Sequence, residues 1–318
     1  MKACCLSQGG VRYSRVWCFN FGHNRKTESK HWHRSYFFVC SDLIAGNAIC
    51  AHNLLISGDH ANAVKFCETI LLIELDRSLT VAESNEVFHK LSNLVSILSN
   101  ASCFDSSLAI AKKIVNLHEN LRYPECKAER LRACSRLLVS LVNKLVNAQR
   151  SEDARQRVLP VLERILRIVK NDFRDEMSMR ALYEASCLAD VGYCSNKVND
   201  YARAIEANEE SVSLMKATLQ SHLNKYYVVG CSYLNLGTAY GNLQRFDEAK
   251  EYFAKALDVF KTANDWTQSD QQDALTNKAK QQQTYFERLS LSWQLTFCAL
   301  LTFVRNVAVN LLPSATRQ

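Results

Sequence analysis

The chain has 318 residues, 47% of them hydrophobic, with three prolines and nine glycines, a balance that suits a mostly helical protein with ample core. Its formal net charge is +7, but Lys2, Arg12, Arg15, Arg25, Lys26, Lys30 and Arg34 stand against Glu28 alone in residues 1–40, so the remainder is close to neutral. Phosphate binding needs a clustered basic face, which excludes a nucleic-acid surface along the body of the chain.

Residues 1–41 read as a basic leader rich in Cys and His, aromatic and without sustained helical periodicity, and expected to be poorly ordered. Met1–Gly10 lacks the continuous apolar core of a secretory leader. Cys4, Cys5, Cys18, His23, His31, His33 and Cys40 are zinc-ligand types. Structural zinc sites use paired ligands at short regular spacings, which Cys5, Cys18 and His23 do not show, so no metal is expected. A mitochondrial presequence is the alternative, because acidic residues are scarce, although no clean amphipathic helix appears. The thirteen cysteines are odd in number and form no C-x-x-C pair. Scattered thiols of this kind point to a reducing compartment, with the cytoplasm as the expected location.

From Asp42 a helical period takes over. Ser57–Ala63 gives a turn followed by a helix to about Leu75, and Thr80-Val-Ala-Glu83 has capping-box spacing for the next helix. Cys103–Ser107 and Asn147–Ala154 repeat the turn. Pro160 falls inside the helix predicted over 151–170, where it costs about 3 kcal/mol unless the helix bends, so a kink is expected near Leu159. Asp200 and Asp247 place negative charge at the starts of later helices, where the helix dipole favours it.

Gly230–Asn264 is the most informative stretch. Two helices, Cys231–Leu243 and Phe246–Lys261, are predicted to fold back on each other. Tyr233, Leu236, Gly237, Tyr240, Ala249, Phe253 and Ala256 fall where two antiparallel helices touch, small residues at close approach and large ones beside them. This pattern resembles the tetratricopeptide repeat, lacking only the family's final proline, which is Lys261 here. Upstream, Gly192 matches Gly237, Tyr201 matches Phe246 and Ala204 matches Ala249. The anchors Ala63, Ser107, Ala154, Ala204 and Ala249 are 44 to 50 residues apart, longer than the 34 of the minimal repeat and similar to kinesin-light-chain repeats. The resemblance implies an all-α, TPR-like α-solenoid over residues 42–264, with about five antiparallel helix pairs in a right-handed superhelix.

Residues 265–288 are polar and suit a helix capping the end of the stack. The sequence then turns apolar over 289–312, with Leu289–Val304 uncharged before Arg305. Either a helix packed on the last repeat or a membrane tail anchor fits, and a membrane contact is expected only through 289–312.

Signatures of catalysis are missing. The nine glycines form no phosphate-binding loop, and no G-x-S-x-G or H-E-x-x-H occurs. Glu206, Glu209 and Glu210 read as a solvated helix face, Cys187 and Cys194 as ordinary core spacing, and His60 as a turn residue without companion ligands. No enzyme activity and no cofactor are expected.

What the resemblance implies is binding. In the family the first helix of each pair lines a concave wall, and the position two before its small residue points into the groove. Those positions are Asn93, Ser140, Asp190 and Asn235, with Lys197 and Asn242 further along the same wall. An asparagine amide offers both a donor and an acceptor to an extended peptide backbone. Leu234 and Ala189 stand where a chaperone-tail clamp would need polar groups, which argues against that role. The expected function is a scaffold or adaptor holding a protein or peptide ligand in this groove. A tail-anchored adaptor and a piece of a larger signalling protein are the alternatives.

Overall fold

Five tight turns organise the computed structural model, which describes residues 31–73, 81–120, 127–172, 177–219, 226–263 and 269–311. Each joins two antiparallel helices: α1 (His31–Ile56) to α2 (His60–Leu72), and α3 (Val81–Asn100) to α4 (Phe104–Asn120). The third joins α5 (Lys127–Asn147) to α6, which runs through Ser151–Asp153, Ala154–Val158 and Leu159–Asp172. The last two join α7 (Met177–Lys197) to α8 (Tyr201–Leu219), and α9 (Tyr227–Asn242) to α10 (Phe246–Thr262). Helix α11 (Ser269–Leu311) follows.

The turns share one geometry. Gly58, Ser102, Gln149, Asn199 and Gln244 each take a left-handed backbone, with φ between 60° and 83°. The next residue donates its N–H five residues back, from Asp59, Cys103, Arg150, Asp200 and Arg245 to Leu54, Leu98, Leu145, Ser195 and Tyr240, at 2.8–2.9 Å. This is a Schellman ending, which satisfies carbonyls that the helix leaves unpaired. Five residues past each left-handed residue stand Ala63, Ser107, Ala154, Ala204 and Ala249, all 0% exposed. The predicted repeat anchors therefore share one structural position. Ser107 tolerates that burial because its hydroxyl donates to the Val95 carbonyl at 2.9 Å.

The first helices α1, α3, α5, α7 and α9 contact one another in succession, and α11 packs on α9 and α10. Second helices are linked by ion pairs: Arg157–Asp105 and Arg164–Glu119 join α6 to α4, and Arg203–Glu163 joins α8 to α6. The described residues form an all-α solenoid of five helix pairs plus a further helix. Helix α7 bridges the two ends of the core, packing Cys187, Leu188 and Val191 toward α1–α6, and Ala185 and Ala189 toward α9–α11.

Three features differ from the sequence-based expectations. Helix α1 begins at His31, before the boundary expected at Asp42; residues 1–30 lie outside the described residues, as does Thr80 of the expected capping box. The break expected at Leu159 takes the form of a π-helical turn over Ala154–Val158, closed by Leu159 N–H to the Ala154 carbonyl. One extra residue in that turn relieves the clash a helical proline makes with the preceding turn. Finally, 265–288 and 289–312 are not separate elements, because α11 is one continuous helix of 43 residues.

Candidate functional site

The fifth pair is held by aromatic rings against glycines. A Cβ at Gly237 would lie 2.7 Å from the Phe253 ring, and one at Gly241 would lie 2.7 Å from the Phe286 ring. Glycine is needed at both places because the neighbouring helix crosses too close for a methyl group. Tyr240 stacks on Tyr252, ring centroids 5.3 Å apart, and Arg245 covers the other Tyr240 contact at 4.5 Å. Tyr233, Leu236, Phe253 and Ala256 are buried alongside. In the fourth pair the tight place is Gly192, faced by the Asn208 amide, which donates to the Ala204 carbonyl at 2.6 Å.

The wall formed by the first helices is not uniform. The position nine residues before each left-handed turn residue is Ile49, Asn93, Ser140, Asp190 and Asn235 in order. Ile49 is 44% exposed, and Asn93 and Ser140 are exposed. Asp190 is partly buried and accepts from Ser135 Oγ at 2.6 Å. Asn235 is 7% exposed and its Nδ2 donates to the Ala189 carbonyl at 3.1 Å and Asn208 Oδ1 at 3.2 Å. Expected as a groove amide, Asn235 instead joins α9 to α7 and α8, with both bonds inside the stack. Lys197 is exposed, its ammonium 5.5 Å from the Tyr193 ring, and Asn242 is exposed with its Nδ2 on the Thr238 carbonyl of its own helix at 2.9 Å.

Contacts between alternate first helices accompany the gradient. Arg132 and Arg136 of α5 both donate to the Tyr227 hydroxyl of α9, at 2.6 and 2.9 Å. Lys278 of α11 lies 4.8 Å from the Tyr193 ring of α7, whose hydroxyl donates to Asn143 Oδ1 of α5 at 2.8 Å. Helices two apart in a stack touch only on the inside of its curve, so these contacts mark the concave side and narrow it in the carboxy-terminal half. Arg132, Arg136, Tyr227 and Lys278 were not among the predicted wall residues. The signal for the arginines was available, since 132, 136 and 140 are successive steps of four on one face.

Charge on this side is perturbed. Burial pushes the Asp190 carboxyl up to about 6, opposed by the Ser135 hydroxyl and by Arg136 and Arg132 nearby. Burial and the neighbouring Lys197 push the Lys278 ammonium down. The buried thiols of Cys67 and Cys134 are pushed up to about 11 and about 12, and those of Cys187 and Cys194 are also raised by burial, so they act as small hydrophobes.

The remaining candidates are accounted for locally. Glu206 pairs with Arg203, Glu209 accepts from the Tyr240 hydroxyl, and Glu210 pairs with Lys170. They are a bonded face rather than a merely solvated one. His60 has one companion, Cys103, at 3.9 Å. Among the described residues no three His, Cys, Asp or Glu side chains converge as metal ligands. Leu234 and Ala189 are buried.

Residues 232–262 match the tetratricopeptide repeat family. Among solved structures, the nearly identical TPR-like repeats of a candidate kinesin light chain from Podosopora anserina are similar at 17% identity and a TM-score of 0.40. The match covers 69% of this chain and 95% of that one, and a single-substitution variant of the same protein gives the same values. No curated protein matches the chain. Residues 232–262, which make up most of the fifth helix pair, match the tetratricopeptide repeat and are carried on an all-α solenoid.

Proposed function

We propose that the chain is a non-enzymatic interaction scaffold that holds a segment of another protein against the first-helix wall of α1, α3 and α5. The observation that carries this is the gradient of exposure at one repeated position. Asn93 and Ser140 face solvent, whereas Asp190 and Asn235 are drawn into the stack. Exposed amide and hydroxyl groups at a regular inter-helix interval suit the backbone of an extended segment or the polar side of a helix. The tetratricopeptide match supports protein binding as the kind of work. The proposed compartment is the cytoplasm.

The test is affinity capture of partners by the full chain, by Asn93→Arg/Ser140→Arg, and by the outer-helix control Lys250→Glu. Helicity is first shown to be equal for all three. Partners captured by wild type and control but absent from the double variant support the wall assignment. Equal capture by all three refutes it.

A further inference from the structure

Helix α11 leaves the stack part of the way along its length. Its first half is anchored: Ala279 is 0% and Phe286 4% exposed, Phe286 lies 5.9 Å from the Phe253 ring, and Gln272 Nε2 donates to the Phe260 carbonyl at 2.7 Å. From Leu291 through Thr302 every residue is exposed, including Leu291, Trp293, Leu295, Phe297, Leu300 and Leu301, each more than half exposed. This contradicts the expectation of a helix packed on the last repeat.

Three observations identify what covers this segment. First, its apolar residues are not confined to one face. At about 100° per residue, Leu291 and Leu295 point one way, Trp293, Phe297 and Leu300 roughly the opposite way, and Leu301 between. A second copy or a grooved protein would cover one side and leave the other in water, whereas a surrounding apolar medium covers all of it. Second, both threonine hydroxyls within it are satisfied by the helix itself: Thr296 donates to the Ser292 carbonyl at 2.9 Å and Thr302 to the Cys298 carbonyl at 2.8 Å. Internal satisfaction is what lipid requires of polar groups. Third, Leu289–Val304 carries no charge, and residues 288–318 hold Arg288, Arg305 and Arg317 without one Asp or Glu. Cations bracketing an uncharged apolar segment complement an anionic lipid surface.

We propose that the part of α11 beyond Leu289 inserts into the hydrocarbon of an anionic phospholipid bilayer. Sixteen uncharged helical residues measure about 24 Å against a hydrocarbon thickness of about 30 Å. Among the described residues no helix is long and apolar enough to cross a membrane, so the segment embeds without crossing. This inference does not depend on the groove, and a scaffold with a silent groove would still bind lipid.

The test is flotation of the full chain with phosphatidylcholine–phosphatidylserine vesicles and with phosphatidylcholine vesicles. It is run beside Leu295→Ser/Phe297→Ser/Leu301→Ser, whose changes fall only on exposed side chains. Wild type is expected to float with the mixed vesicles, less with the neutral ones, and the triple variant at least about tenfold less. The emission of Trp293, isolated as the difference from Trp293→Phe, shifts to shorter wavelength when vesicles are added. Absence of flotation with an unshifted Trp293 overturns the proposal. So does a wild-type chain that scatters light as a dimer without lipid, becomes monomeric in the triple variant and does not float, since a second copy then covers the helix.

Discussion

Placing glycine at the left-handed turn positions should stabilise the stack by an amount that the backbone angles set. Gln244, Gln149 and Ser102 sit at φ 63°, 61° and 60°, a region that costs an ordinary L-residue roughly 1–2 kcal/mol. Glycine removes that strain, but its greater freedom in the unfolded chain offsets roughly 0.5–1 kcal/mol. Each of Ser102→Gly, Gln149→Gly and Gln244→Gly should therefore gain about 0.5–1 kcal/mol. The sites lie in different turns, so the triple variant should gain about 2 kcal/mol. Two controls come with the fold. Asn199, at φ 61°, already tolerates this region, and Asn199→Gly should be nearly neutral. Gly58, at φ 83° with no atom within 4 Å of an added Cβ, should lose about 1 kcal/mol on Gly58→Ala through backbone strain alone. Urea unfolding followed by far-UV circular dichroism measures all six variants, with the slope checked for constancy. A triple variant no more stable than wild type, together with a neutral Gly58→Ala, would refute the common turn geometry.

Asp190 gives a pH-dependent case. Its folded-state carboxyl is raised from 3.8 to about 6, so its contribution to stability is fully present below 3.8 and is lost as pH rises through about 6. Asp190→Asn should match wild type in acid and be more stable above neutrality by roughly 2–3 kcal/mol; equal stability at both ends would disprove the burial penalty. Gly237→Ala should cost about 1–3 kcal/mol by driving a methyl group into the Phe253 ring. Phe253→Leu in the same chain should recover part of that loss in a double-mutant cycle, and strict additivity would place the clash elsewhere. Tyr227→Phe removes the oxygen shared by Arg132 and Arg136 and should cost about 1–2 kcal/mol. Amide exchange should quicken at the start of α9, and unchanged exchange would show that the contact does not hold that helix.

The anchors Ala63, Ser107, Ala154, Ala204 and Ala249 were legible because steric demand at a helix crossing leaves few residue types to choose from. The turn positions five residues earlier were less so, since only Gly58 and Asn199 are residue types that favour a left-handed backbone, while Ser102, Gln149 and Gln244 adopt it unadvertised. Helix α1 was missed upstream of Asp42 because His31–Cys40 mixes aromatic and basic residues without an apolar stripe. The junction in α11 was misjudged for the opposite reason. A change from polar to apolar composition at Leu289 looks like a boundary, but a helix stops only where capping or a breaker stops it, and no Gly or Pro occurs between 269 and 311. One spacing rule picks the same position in every repeat: Asn93 and Ser140 are exposed there, whereas Asn235 is buried because its amide bonds to α7 and α8. The Arg132–Tyr227 and Arg136–Tyr227 contacts join residues 95 and 91 apart, which no local period encodes.

Those contacts make the solenoid mechanically unequal along its axis. A stack of helix pairs behaves as a coil spring, and a bond from one turn to the next but one is a stay that stops the turns from opening. The Arg132, Arg136 and Tyr227 stay and the Tyr193–Lys278 stay brace α5 through α11, so, among the described residues, this half is expected to resist extension more than α1–α4. Stretched from its two ends, the chain should lengthen in two regimes, soft and then stiff, with Tyr227→Phe lowering the second. A partner seated near Asn93 would then be gripped by the compliant half, with the braced half as its fixed jaw.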